Sequence, residues 1–205
     1  MGKKDNIITV LFYVLLVATA IWDLVVRSGG KFLRILLIAA VILLVYYIYK
    51  KTFLKQYSFL YKITLFFVFI SMYLANVFNF YAYKNYDKCL HFLSGIILAI
   101  IGLVIYNYLS NNSLDNGMKK ATVIIFPMIF SIACAGLWEI WEFTTDQLFG
   151  LTAQWNDLHD TMWDIICGTI GGIVSCFFIW LFLLSGKEIK IAKKILEEMN
   201  RKNLR

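Results

Sequence analysis

Six apolar runs of nearly membrane-spanning length govern what this chain can fold into. They fall at about 7–26, 32–49, 59–79, 89–108, 121–142 and 162–184, with few charges inside them. A helix needs roughly 20 apolar residues to cross the hydrocarbon of a bilayer. That solvent offers no hydrogen-bond partner, so each crossing must satisfy its backbone within itself. The pattern predicts an all-α polytopic membrane protein with about six transmembrane helices. Composition agrees: 60% of the residues are hydrophobic, against about 45–50% in soluble domains. The sole proline is Pro127 and no Pro/Gly/Ser-rich linker occurs, so residues 1–205 read as a single transmembrane domain.

The net charge of +7 points to lipid rather than nucleic acid, because basic residues gather in the cytoplasmic loops of membrane proteins and face anionic lipid. With the N-terminus inside, fifteen of the twenty Lys and Arg lie on inner segments: Lys3, Lys4, Lys50, Lys51, Lys55, Lys62, Lys119, Lys120 and seven after Gly186. The outer segments hold Arg27, Lys31, Arg34, Lys84 and Lys88. This bias predicts a multi-pass cell-membrane protein with both ends cytoplasmic. Trp22, Trp138, Trp141, Trp155 and Trp163 then fall at the outer interface, where an aromatic belt would sit. Lys3-Lys4 followed by an apolar run and Ala18-Thr19-Ala20 also fits a signal peptide, but the run continues to Val26, which favours a retained helix. Residues 187–205 read as a basic amphipathic tail, with Ile189, Ala192, Ile195, Leu196 and Met199 at helical spacing.

The two halves differ in grain. Spans one to three are bulky, whereas the last three carry Ser94-Gly95 and Gly102, then Ala133, Ala135 and Gly136, then Gly168, Gly171, Gly172, Ser175 and Cys176. Small residues let membrane helices approach closely, so spans four to six should form a tight core with the first three around it. No internal repeat is evident. Cys134, Cys167 and Cys176 lie within apolar runs, and no CxxC pair supports a disulfide or redox framework.

Chemistry concentrates at one end of those three spans. Asp87 and His91 open the fourth, Glu139 and Glu142 close the fifth with Asp146 beyond them, and Asp160 and Asp164 open the sixth after Asp157 and His159. Spacings of three and four place each pair on one helical face. Carboxylates near hydrocarbon must be paired, protonated or bound to a cation, and Lys84 and Lys88 are too few to balance them. Asp87, His91, Glu139, Glu142, Asp160 and Asp164 are therefore candidate ligands for Zn²⁺, Mn²⁺ or Fe²⁺, or for Ca²⁺ with loop carbonyls. Glu139, Glu142 and Asp164 are candidate catalytic groups. The plain alternatives are a satisfied polar His91 and a wet loop in which Asp160 caps the sixth helix through Thr161. No Walker loop, GxGxxG turn, HExxH or GxSxG motif is present.

Asp87-Lys88-Cys89-Leu90-His91-Phe92-Leu93-Ser94-Gly95 resembles the D-K-x-x-H-F-x-x-G start of the YjdF-like inner-membrane family. Trp138-Glu139-Ile140-Trp141-Glu142 and Asp160-Thr161-Met162-Trp163-Asp164 resemble its W-E-x-x-E and D-T-x-x-D segments, so the likeness covers roughly residues 80–178. VanZ-like proteins, linked to glycopeptide resistance, share the D-K-x-x-H start and are more distantly similar. The Glu pair and the later Asp pair depart from the VanZ pattern. The resemblance implies the same site positions and names no reaction.

The sequence thus supports three readings: a metal-dependent hydrolase or transferase acting on a lipid-linked or cell-envelope substrate, a cation-binding or transport protein, or a non-catalytic envelope protein. Membrane lipids are the expected partners; oligomeric state is left open. The charge bias carries the first test. In a cysteine-free background, a cysteine at Asn156 should react with a membrane-impermeant maleimide in intact cells, and one at Asn112 only after lysis. The reverse pattern would invert the orientation.

Overall fold

The first helix shows how a membrane-spanning chain chooses its buried face. Asp5, Thr9, Phe12, Leu16, Thr19 and Asp23 recur at steps of four and three, and all are buried, while Val10, Val14, Val17 and Ile21 on the other side are exposed. Polar groups turn inward because lipid cannot satisfy them. The computed structural model describes residues 2–110, 120–150, 152–154 and 157–185. The turn expected at 111–117, the tail at 187–205 and Trp155 lie outside the described residues. Its contacts divide the chain between Tyr83 and Lys84 into two units.

The first unit holds α1 (Lys3–Val26), α2 (Phe32–Lys51) and α3 (Ser58–Val68), which continues as a π-helix over Phe69–Val77. Three polar pairs join α1 to α3 in parallel. Ser58 Oγ donates to Asp5 Oδ1 at 2.6 Å, Thr9 and Tyr61 share a 2.6 Å hydrogen bond, and Thr19 and Tyr73 share one of 2.7 Å. Aromatic packing fills the gap: Phe12 meets Phe69 and Tyr73 edge-on. From the antiparallel α2, Ala39 offers its carbonyl to the Tyr13 hydroxyl at 2.9 Å. Thr9 and Thr19 thus meet tyrosine hydroxyls, and Ser58 a carboxylate.

The second unit contains α4 (Tyr86–Leu109), α5 (Lys120–Phe149) and α6 (Leu158–Ser185). Here the helices meet almost backbone to backbone. A Cβ added at Gly95 would overlap the Gly168 carbonyl, and one at Gly171 would overlap the Phe92 carbonyl. A Cβ on Gly172 would lie 2.6 Å from Ser131 Oγ, and that hydroxyl donates to the Gly95 carbonyl at 2.9 Å. Gly102 faces Pro127 of α5 in the same way, with only 3.0 Å between its would-be Cβ and the proline Cα. Ala135 closes on Gly168, whereas Ala133 is exposed and Gly136 has open space around it. The small-residue expectation therefore holds for α4 and α6 and for one face of α5.

Among the described residues, six helices are long and apolar enough to cross a membrane: Lys3–Val26, Phe32–Lys51, Ser58–Val77, Tyr86–Leu109, Ala121–Phe149 and Leu158–Leu181. The protein is a multi-pass α-helical membrane protein. Helix α5 runs past the expected end at 142, and α6 starts before the expected 162. Acidic residues lower the hydropathy there without breaking the helix. Gly150, with φ of +64°, ends α5 as its N–H donates to the Asp146 carbonyl at 3.0 Å.

Backbone contact makes the packing brittle. Gly171→Ala should destabilise the detergent-solubilised protein by about 1–3 kcal/mol through overpacking, whereas Ala40→Leu, at an exposed position of α2, should be near neutral. Melting curves of the two variants check this.

Candidate functional site

The carboxylates gather where two helices begin. Helices α4 and α6 start at the same end of the second unit, and each N-terminus presents free N–H groups and partial positive charge. Asp87 and Asp160 lie in those first turns, which is where the helix dipole favours anions. His91 and Asp164 follow one turn on, about 8–9 Å from the helix starts at 1.5 Å per residue. The glycine contacts at Gly95 and Gly168 hold the two helices close enough for these side chains to meet.

His91 is the hub. Its Nε2 is 3.7 Å from Asp87 Oδ1 and 3.6 Å from Asp164 Oδ1, while its Nδ1 faces Glu139 Oε1 at 4.0 Å. His91 is 9% exposed, Glu139 4% and Asp164 1%. One donor atom each from Asp87, His91 and Asp164 can be chosen so that all lie within 4.8 Å of one another, a group that could hold a metal ion. Ligand atoms of a tetrahedral Zn²⁺ site are separated by about 3.4 Å, given bond lengths of about 2.0–2.2 Å, so the two His91 separations approach that spacing. Glu139 Oε1 is buried with no hydrogen-bond donor. A carboxylate on the far nitrogen of a ligating histidine is the usual device for orienting the ring.

Lys88 enters the cluster more deeply than its sequence position suggests. Its ammonium donates to Asp160 Oδ1 and to both oxygens of Asp164, at 2.8 and 2.9 Å, and stands 3.6 Å from Asp87. Three carboxylates, Asp87, Asp160 and Asp164, thus share one ammonium, and a fourth, Glu139, joins the cluster beside His91. When all are ionised and His91 is neutral the cluster carries three negative charges, which a divalent ion would reduce to one.

The remaining expected residues divide. Asp160 joins the cluster through Lys88. Glu142 is half-buried and accepts the Trp138 indole N–H at 2.9 Å, outside the Asp87–His91–Asp164 group. Asp146 clamps the loop after α5: its two oxygens accept the N–H groups of Ala153 and Gln154 at 2.8 and 3.0 Å. The cap of α6 is Asp157, which accepts from the His159 N–H at 2.9 Å, so Asp160 is available to Lys88. His159 is exposed.

Gln154 was not legible as a site residue. Its side-chain amide donates to Glu139 at the carbonyl, 3.2 Å, and at Oε2, 3.3 Å. The only sequence signal was its place in a short loop beside Asp146.

Fold and site together define a polytopic helical membrane protein with a buried His/carboxylate cluster at one end of a three-helix unit. The chain belongs to the family described as predicted membrane protein (DUF2238), whose profile matches residues 8–185. The YjdF-like resemblance is consistent with that family; the VanZ-like one rests on the D-K-x-x-H stretch alone. No curated protein and no solved structure matches the chain.

Removing one partner of a buried ion pair leaves an uncompensated charge and costs about 3–5 kcal/mol. Lys88→Met, whose side chain is 22% exposed against 2% for Asp164, should destabilise the protein by that order. Lys84→Met, at an exposed position, should change stability by less than about 0.5 kcal/mol. Thermal melts in metal-free buffer with EDTA separate the two.

Proposed function

We propose that the second unit binds a divalent cation on Asp87, His91 and Asp164 and uses it to hydrolyse or transfer a phosphoryl or acyl group of a membrane-borne substrate. The observation that carries this reading is the convergence of those three donors on one point, with a buried, unpartnered Glu139 oxygen behind His91. Bound there, the ion would polarise the substrate oxygen and acidify a water molecule. Glu139 Oε1 stands 4.0 Å from Nδ1, and a small shift of either side chain would let it accept the Nδ1–H, which would orient the imidazole and leave Nε2 as the donor. Asp160 retains Lys88 when Asp164 turns to the cation. Lys88 then stands beside the site as a fixed positive charge, suited to an anionic group on the substrate. The position of the cluster near the start of α4 and α6 favours a lipid-linked or cell-envelope substrate whose reactive group lies at the interface. By the basic-residue bias, that interface is the outer one.

A second reading has one specific observation in its favour. Lys88 already satisfies Asp160 and Asp164, so the cluster would be a structural ion-pair network in a non-catalytic protein. A transport path has less support, because the buried Ser131 hydroxyl deeper in the unit is committed to the Gly95 carbonyl.

Elemental analysis of protein purified without chelator decides between them. The proposal expects stoichiometric metal in the wild type. His91→Ala and Asp164→Asn should each lower it at least about tenfold, and their combination should lose little more, since ligands act as a unit. Lys88→Met should keep the metal and regain stability when Zn²⁺ or Mn²⁺ is added, and Lys84→Met should keep it unchanged. Wild-type protein without metal, with melting curves indifferent to EDTA, would sink the metal reading and leave the structural one.

A further inference from the structure

A separate feature in the first unit has the chemistry of a lipid site. The exposed face of α1 carries a shallow groove of about 430 Å³ lined by Val10, Tyr13, Val14, Val17, Ala18 and Ile21. Ala18 also lines a second hollow of about 270 Å³, together with Thr19, Trp22 and Phe78. The two are continuous along one helix. From Val10 to Trp22 the distance is about 18 Å at 1.5 Å per residue, comparable to one leaflet, half of a core about 30 Å thick.

The head of this groove is cationic. Trp22 and Phe78 stack with centroids 6.3 Å apart, and the Arg27 guanidinium lies over the Trp22 ring at 4.3 Å. Arg27 donates to the Val77 carbonyl at 2.9 Å and Arg34 to the adjacent Asn76 carbonyl at 3.4 Å. The two guanidinium groups are thus anchored on consecutive carbonyls. Each has five N–H donors, and most remain available for bidentate recognition of phosphate. Burial, then the charges of Arg34 and Arg27, push the Lys31 ammonium below the usual lysine range, with Asp23 offsetting part of the effect. Among the described residues none of the three cations has an ion-pair partner. Asp23 is buried beneath the turn: its Oδ2 accepts the Lys31 backbone N–H at 2.9 Å, and its Oδ1 has no hydrogen-bond donor.

We infer that the groove on α1 and the Arg27–Lys31–Arg34 head together bind one anionic phospholipid, the acyl chain along Val10 to Trp22 and the phosphate on the guanidinium groups. The match of an apolar trough, an aromatic rim and a cationic head to the three parts of such a lipid carries the assignment. An anion alone would leave the groove without a role, and a zwitterionic lipid would bring its own cation to a head already crowded with positive charge.

The test titrates purified full-length protein in detergent with phosphatidylglycerol, phosphatidylcholine and glycerol phosphate. Bound lipid is read by native mass spectrometry, with melting temperature alongside. Phosphatidylglycerol should form a stable one-to-one adduct and raise the melting temperature. Phosphatidylcholine should bind at least about tenfold more weakly, a difference of about 1.4 kcal/mol, and glycerol phosphate should do neither. Arg27→Gln/Arg34→Gln should abolish the preference for phosphatidylglycerol. Because Arg27 also holds a backbone carbonyl, Arg34→Gln alone and Ala18→Trp, which fills the hollow at an exposed position, serve as variants that leave that contact intact. Each should weaken phosphatidylglycerol binding several-fold. Equal binding of the two lipids, full stabilisation by glycerol phosphate, or unchanged phosphatidylglycerol affinity in Arg34→Gln and Ala18→Trp would each overturn the inference.

Discussion

Hydrocarbon cannot satisfy a polar group, and both units are arranged around that deficit. In the first, the answer is closure. Asp5 takes Ser58, Thr9 takes Tyr61 and Thr19 takes Tyr73, so the polar stripe of α1 doubles as the seam to α3. In the second, glycine contacts bring the helix backbones together, and the acids at their ends converge on a single histidine and a single lysine. The first arrangement pairs Thr9 and Thr19 with tyrosine hydroxyls but leaves Asp23 Oδ1 buried without a hydrogen-bond donor. The second leaves a carboxylate oxygen of Glu139 unmet. An unmet group in a buried cluster is where a ligand or a proton gains most by arriving.

Much of this was legible because it depends on length and local grain. Six crossings follow from six apolar runs, and the close approach of α4 and α6 follows from Gly95, Gly168, Gly171 and Gly172. The face of α5 was not readable in the same way: Ala133, Ala135 and Gly136 look alike in sequence, and only Ala135 meets a neighbour. A helix in lipid lacks the polar side that would mark its orientation. The inward stripe of α1 was hidden for a related reason, since Thr9 and Thr19 average into an apolar run. The π-helical stretch Phe69–Val77 leaves no sequence signal that we recognise.

The site divides along similar lines. Spacing of four residues brought Asp87 to His91 and Asp160 to Asp164, a purely local property. That Lys88 would reach across to α6 depends on how two helices meet in space. Gln154 depends on a loop geometry set by Asp146, and the cap of α6 fell on Asp157, where side-chain reach and not residue type decided between neighbouring acids. Glu139 and Glu142, equivalent in sequence, part company because one faces the histidine and the other a tryptophan on its own helix.

The contact beneath the cluster has a mechanical consequence. Helices α4 and α6 touch through main chain at Gly95 and Gly168, one turn below His91 and Asp164, and no flexible side chain lies at that contact to act as a spring. The spacing of the two helix axes at that level is therefore set by main chain, and any adjustment of the cluster above it falls to the side chains of His91, Asp164 and Lys88 rather than to a parting of the helices.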